Sequence, residues 1–279
     1  MSDASARRPT TPARVRVVEA GTASERPDRL VTEEPMEIRV HGPGQDAAPL
    51  AVTMRTPGHD FELAVGFCLT ERVVDDAGAV ARVAYCLRSD APQEYNVVTV
   101  TTRDPVDLDP HRRAFAANAS CGLCGKATLD QVAVECAPVH SDLRVSAAVL
   151  TALPDRLRAA QSVFDATGGV HATGCFTADG VLQVAREDVG RHNAFDKVVG
   201  WAALAGSLPL ADAVCLVSGR VSFEIVQKAA VAGVPVIGAV SAPSSLAVQA
   251  AERLGVTIVG FLRGDRFNVY SHPERVIAA

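Results

Sequence analysis

Apolar positions along the chain follow a period of two in its first part and mixed periods later. Arg14-Val15-Arg16-Val17 and Met36-Glu37-Ile38-Arg39-Val40 alternate residue by residue, as strands with one buried face do. His41-Gly42-Pro43-Gly44 stops the second, and Ala51-Val52-Thr53-Met54-Arg55-Thr56 gives a third that ends at Pro57-Gly58. Asp60 then reads as an N-cap, with Leu63, Phe67 and either Leu69 or Val73 on one helical face. Residues 80–87 and 95–101 add two strands. Several strands around one helix make a small α+β unit.

A connector at 103–110 leads into a more apolar region. Pro154 is placed as the first residue of a helix running to about 166, ended by Gly168-Gly169. Residues 170–176 and 181–185 form a strand pair about Ala178-Asp179-Gly180. A helix over 188–205 carries Val189, Phe195, Val198, Val199 and Ala202. Strands at 213–217, 234–240 and 256–262 then alternate with helices at 221–232 and 243–254. Continuous apolar strands joined by short helices predict a parallel sheet covered on both faces, with right-handed crossovers. The predicted organisation is a disordered tail over 1–14, a small α+β domain over 15–110 and an α/β domain over 111–279.

Composition narrows the class. The chain has 279 residues, 48% hydrophobic and 21% charged, enough for an ordinary core and about two domains. A net charge of −5 gives no support to general nucleic-acid binding. The first residues are polar and carry Pro9 and Pro12, so they read as a tail and not a secretory signal. No apolar run is long enough for a membrane span. Seven cysteines, an odd count, fit free thiols in a cytoplasmic protein.

The chemistry centres on Ser120-Cys121-Gly122-Leu123-Cys124-Gly125-Lys126. Glycines flank both sulfurs, which leaves them unshielded, and Lys126 supplies a charge that favours thiolate. A zinc site needs two more ligands, yet Cys68, Cys86, Cys136, Cys175 and Cys215 stand singly in apolar runs and His140 stands alone. A thioredoxin-like pair follows a strand, and residues 112–119 are not strand-like. The third reading is a nucleophilic thiolate that carries a group, with Cys124 as its partner.

In open α/β sheets, ligands bind beyond the carboxyl ends of the strands. Three loops leave those ends here: Ser218-Gly219-Arg220, Ser241-Ala242-Pro243-Ser244-Ser245 and Arg263-Gly264-Asp265-Arg266. Two run into helix N-termini, and Arg220, Arg263 and Arg266 are expected to face one pocket suited to pyrophosphate. Phe261, Phe267 or Tyr270 is available to stack on a base. Asp188, His192 and Asp196 are four apart on the predicted helix, a spacing open to a metal or to salt bridges. His171 reads as a hydrogen-bonded core histidine.

These blocks together resemble the FdhD family. The likeness rests on Cys121-Gly122-Leu123-Cys124-Gly125-Lys126, Thr167-Gly168-Gly169-Val170-His171, residues 187–197 and Ser218-Gly219-Arg220-Val221-Ser222-Phe223-Glu224. Ser241-Ala242-Pro243, Gly260-Phe261 and Phe267-Asn268-Val269-Tyr270 extend it, in family order, from about Thr32 to Pro273. The resemblance implies a larger C-terminal three-layer α/β domain like the cytidine deaminase fold and a smaller N-terminal α+β domain. It implies a sulfurtransferase that receives sulfane sulfur from a cysteine desulfurase as a persulfide on Cys121; Cys124, in the same loop, is expected to assist. The sulfur then passes to the molybdenum of bis(molybdopterin guanine dinucleotide), as formate dehydrogenase requires. By the same match Phe261, Leu262, Arg263, Gly264, Asp265 and Arg266 bind that cofactor, for which GDP is a mimic. A homodimer is the expected assembly. A zinc deaminase would need H-x-E, but Ala172-Thr173 follows His171. A non-catalytic chaperone would keep the arginine pocket without needing Cys121.

Overall fold

The computed structural model describes residues 8–86, 95–108 and 136–278, so Cys121 and Cys124 lie outside the described residues. The chain opens on a hairpin of β1 (Thr10–Glu19) and β2 (Thr22–Val31), paired in register from Thr10↔Val31 to Glu19↔Thr22. Its two-residue turn has φ of 48° at Ala20 and 82° at Gly21, the positive values that match the twist of a tight hairpin. The expected tail over 1–14 is therefore too long, since Thr10 to Arg14 are paired strand. The partner strand carries Ser24, Glu25, Arg26, Pro27 and Asp28 with no apolar alternation, so main-chain pairing and not burial defines it.

A four-stranded sheet follows in the order β4-β3-β6-β5, with β3 Glu34–His41, β4 Ala48–Arg55, β5 Val80–Tyr85 and β6 Val97–Thr102. Met36, Ile38 and Val40 alternate inward and are fully buried. Helix α1 (Asp60–Thr70) covers that face. His59, not Asp60, takes the N-cap position, because the Asp60 carboxylate is held 2.8 Å from the buried Arg55 guanidinium.

The remaining strands are β7 (Val145–Ser146), β8 (His171–Thr177), β9 (Leu182–Asp188), β10 (Ala213–Val217), β11 (Val236–Ala239), β12 (Thr257–Arg263), β13 (Arg266–Val269) and β14 (Val276–Ile277). Six of them form a sheet in the order β13-β12-β11-β10-β8-β9. Only β10, β11 and β12 run parallel, and β8, β9 and β13 are antiparallel to their neighbours, so the sheet is mixed where a parallel one is expected. Helices α2 (Ala147–Ala159) and α3 (Ser162–Thr167) precede β8, and α4 (Arg191–Leu204) follows β9. Helices α5 (Phe223–Val231) and α6 (Ser245–Leu254) cross from β10 to β11 and from β11 to β12.

Pro154 is not the start of a helix. Ser146 Oγ accepts the Val149 N–H and begins α2 a full two turns earlier. Leu150, Leu153 and Leu157 then form one stripe buried against Phe176, Leu216 and Val259 of the sheet, and that burial outweighs the hydrogen bond Pro154 forfeits. The opposite face of the sheet carries α4, α5 and α6, and beyond them α1 and the four-stranded sheet. One continuous core runs from Met36 and Leu63 to Phe195, Ile225, Ile237 and Ile258. The two expected domains therefore share a core. Helices α1 and α4 meet backbone to backbone: a Cβ at Gly66 would enter the Asp196 carbonyl, and one at Gly200 the Glu62 carbonyl.

Candidate functional site

The parallel strands β10, β11 and β12 present their carboxyl ends along one edge, and the three loops that leave them are sewn together. Val221 N–H donates to Ala242 O at 3.3 Å, Ser244 N–H to Val221 O at 3.0 Å, and Phe261 N–H to Ser241 O at 3.1 Å. Gly260 sits where a Cβ would press on Tyr270 and Pro243. The β12–β13 register shifts between Gly260 and Arg263, and Phe261 adopts φ of 53° within that bulge. A bulky side chain in the left-handed region is strained, and here the bulge turns Leu262 into the core and leaves Phe261 38% exposed.

Arg263 and Arg266 stand opposite each other across Gly264-Asp265, both exposed. Like charges in directly opposed positions repel, which a bound anion would reverse. Arg263 Nε donates to Val240 O at 3.0 Å, so its guanidinium reaches across the end of β11. Among the described residues no carboxylate pairs with Arg220, Arg263 or Arg266. Arg220 is exposed on the neighbouring loop, but no contact joins it to the other two.

A cleft of about 660 Å³ opens beside this edge, on the α2 side of the sheet. Because β8 is antiparallel to β10, its first residue His171 lies at the β10 carboxyl end, with Nδ1 3.4 Å from Ser218 Oγ. Ser218 Oγ in turn accepts the Ala172 N–H at 2.9 Å. His171 is thus a wall of the cleft and not a core residue. Burial lowers its pKa, and the adjacent Arg191 lowers it further, which keeps the imidazole neutral at neutral pH. His192 is pushed down to about 4 by burial, then by Arg191 and Lys228, with Nε2 3.2 Å from Ser222 Oγ. Asp155 and Gln161 also line the cleft. Asp155 lies in α2, and Gln161 stands in the break between α2 and α3.

The polar run 187–197 is a clamp. Asp188 ends β9 instead of starting a helix, so it shares no helical face with His192 and Asp196. Its carboxylate lies 2.7 Å from Lys197 Nζ and accepts the Thr56 N–H at 3.1 Å, while Lys197 donates to Thr56 O at 2.9 Å. Asp196 pairs with Lys228 at 3.0 Å and accepts from Thr70 Oγ1 at 2.7 Å. Both carboxylates join the four-stranded unit to the larger sheet.

The proposed cysteine pair lies outside the described residues, but its downstream flank is placed. Val139 N–H donates to Leu254 O at 2.8 Å, next to the amino end of β12, whereas Phe261 to Arg266 lie at its carboxyl end. Seven strand residues separate the two ends by roughly 20 Å. Cys68, Cys175 and Cys215 are buried. Burial, then Asp196 and Glu71, raises the Cys68 pKa; contact with Cys175, then burial, raises that of Cys215. Burial raises the Cys136 thiol as well. Neither Cys68 nor Cys215 is set up as a thiolate.

Among the described residues no helix is long and apolar enough to cross a membrane. A proposed metal role for the described His, Cys, Asp and Glu side chains finds no cluster of three among them. Comparison with known proteins bears on the rest. A sulfur carrier protein FdhD from Streptomyces avermitilis is 52% identical, covering 92% of each chain. One of the same name from Mycolicibacterium paratuberculosis is 50% identical over 96% of this chain and 98% of its own. A crystal structure of a protein described as a formate dehydrogenase accessory protein, from Desulfotalea psychrophila, matches the fold with a TM-score of 0.73. It is 24% identical and covers 96% of this chain and 99% of that one. The family model described as FdhD/NarQ matches residues 31–277, which takes in both sheets, the strand-end hairpin and the cleft; the chain belongs to the FdhD/NarQ family.

Proposed function

We propose that the chain is a cytoplasmic sulfurtransferase serving formate dehydrogenase. It takes sulfane sulfur from a cysteine desulfurase as a persulfide on Cys121 and hands it to the molybdenum of bis(molybdopterin guanine dinucleotide). The observation that carries this reading is the close likeness, over nine tenths of the chain, to proteins named as sulfur carriers. The buried, proton-retaining state of Cys68 and Cys215 supports it by removing those two thiols as carriers. Cys124 is the assisting thiol, three residues on with two between.

The cofactor is substrate here, and Phe261-Leu262-Arg263-Gly264-Asp265-Arg266 would hold its pyrophosphate-bearing end. The opposed, carboxylate-free pair Arg263 and Arg266 fits a phosphate, and Gly264, at φ of 56°, keeps the turn between them open. The C-terminal part is read as deaminase-like in architecture without that chemistry, and the working assembly as a homodimer. The test is transfer itself. Chain loaded with radiolabelled sulfur by a cysteine desulfurase is mixed with formate dehydrogenase whose cofactor lacks the sulfido ligand. Label on the cofactor and a gain of activity are expected, with neither from Cys121→Ala. Activation by Cys121→Ala at the wild-type level would instead favour a chaperone that only holds the cofactor.

A further inference from the structure

Two thiols outside the sulfur-carrying loop stand face to face in the larger sheet. Cys175 of β8 and Cys215 of β10 are directly opposed in the antiparallel ladder, and both are free and fully buried. The phase of that ladder is set by the Ser218 N–H, which donates to Ala172 O at 2.9 Å. Hydrogen-bonded and non-hydrogen-bonded oppositions alternate along an antiparallel pair, so Cys175 and Cys215, an odd number of residues along, occupy a non-hydrogen-bonded one. At such positions the Cα atoms lie about 4.5 Å apart and the side chains are closest. A disulfide spans Cα separations of roughly 4.4–6.8 Å, so this pair can close without moving either strand far.

The two sulfurs share a hydrogen bond. The Cys215 S–H donates to Cys175, which favours thiolate at Cys175 against the opposing effect of burial; contact with Cys175, then burial, keeps the proton on Cys215. A nucleophile and a resolving thiol thus stand side by side. Strand β9 supplies the way in. It is the edge of the sheet, and its pairing with β8 shifts between Cys175 and Phe176, which leaves Gln183 as the extra residue of a bulge. Gln183 is exposed, and its Oε1 lies 4.0 Å from Cys175 Sγ, so a surface side chain touches the buried pair.

We propose that Cys175 and Cys215 are a peroxide-driven redox lock, a reversible disulfide that ties β8, and with it the edge strand β9, to the parallel strands through β10. Hydrogen peroxide is little larger than a water molecule, so a small displacement of Gln183 admits it. The Cys175 thiolate attacks one peroxide oxygen; an S–O bond forms as the O–O bond breaks, giving a sulfenic acid and a hydroxide that takes up the proton Cys175 had shed. The Cys215 sulfur then attacks the Cys175 sulfur. The S–S bond forms, the S–O bond breaks, and the departing hydroxide leaves with the Cys215 proton as water. Two thiols and one peroxide become a disulfide and two waters, with the sulfurs oxidised and the peroxide reduced. A dithiol reductant reverses the step by exchange, becoming a disulfide itself. The same ladder ends at the His171–Ser218 contact, so the lock fixes the two strands that form that wall of the cleft.

The test treats native full-length protein with hydrogen peroxide, quenches with catalase, unfolds it in iodoacetamide to block the remaining thiols, and maps the digest by mass without reductant. A peptide pair joined through Cys175 and Cys215, and lost on adding dithiothreitol, is the expected result. In Cys215→Ser the resolving sulfur is gone, so Cys175 should stop at the sulfenic acid and take up dimedone. Wild type should also melt at a higher temperature after peroxide, because the cross-link closes a long loop, whereas Cys215→Ser treated alike should not. Melting of the untreated variant is the fold control, and the wild-type peptide map decides the question without it. Recovery of Cys175 and Cys215 as alkylated thiols after peroxide, or a link from either to a different cysteine, overturns the pair. A Cys175–Cys215 cross-link that leaves the melting temperature unchanged overturns the lock.

Discussion

Gly200→Ala sets two general expectations against each other. Alanine is favoured over glycine inside a helix by about 1 kcal/mol, so propensity alone predicts a more stable protein. The structure predicts the reverse. A Cβ on Gly200 falls more than 1 Å inside the ordinary C···O contact of about 3.3 Å with the Glu62 carbonyl. That obstacle is main chain of α1 and cannot turn aside as a side chain would. The two helices must separate, and Gly66 makes the reciprocal approach to Asp196 O within the same crossing. Overpacking of this kind typically costs 1–3 kcal/mol and more where backbone must shift. Separation would also stretch the Arg186–Glu62 pair, now 2.5 Å, which spans the same junction. The net expectation is a loss of about 2 kcal/mol or more, or roughly 4–8 °C in Tm for a chain of this size. Urea and thermal unfolding of wild type, Gly66→Ala and Gly200→Ala measure it. An alanine variant as stable as wild type would refute the close helix crossing, and with it the shared core.

Four further outcomes follow from the same structure. Lys228→Met leaves Asp196 buried without its cation and should lose about 3–5 kcal/mol in urea unfolding. Burial pushes the Asp196 carboxyl up to about 6 against the pull of Lys228, so the folded state holds its proton more tightly than the unfolded one; the stability this contributes is complete below about pH 4 and lost as pH rises through 6. Asp196→Asn should remove that part of the pH dependence, and an unchanged profile of urea midpoints from pH 4 to 7 would contradict it. With iodoacetamide under native conditions Cys86 should react and Cys68, Cys175 and Cys215 should not, as read by peptide mass mapping. Arg263→Ala should weaken GDP binding roughly ten- to a hundredfold while persulfide loading stays intact, since a phosphate-binding guanidinium takes no part in passing sulfur to a thiolate.

What the sequence made legible was whatever burial writes into it. Met36, Ile38 and Val40 alternate because one face of β3 is covered, and Gly255 stops α6 because the next backbone conformation is left-handed, with φ of 68°. The strand-end loops were placed correctly by the same logic, and the structure ties them together. Elements that tertiary pairing defines left weaker marks. The β2 strand has no apolar alternation, and α2 runs through Pro154 because three leucines hold it to the sheet. Asp188 looks like a helix start, yet its meaning lies 132 residues away, at the Thr56 N–H. The cleft was invisible for a related reason: its lining comes from α2, α3, β8 and the β10 and β11 ends, which only the tertiary fold brings together.

Intact-mass measurement after incubation with a cysteine desulfurase and cysteine shows whether Cys121 carries the sulfur. Wild type, Cys121→Ala and Cys124→Ala are compared, with Cys136→Ala and Cys215→Ala as controls. A gain of one sulfur is expected on wild type and on both controls, a diminished gain on Cys124→Ala, and none on Cys121→Ala. Undiminished loading of Cys121→Ala would contradict it, and loading lost only in Cys124→Ala would reverse the roles of the two thiols.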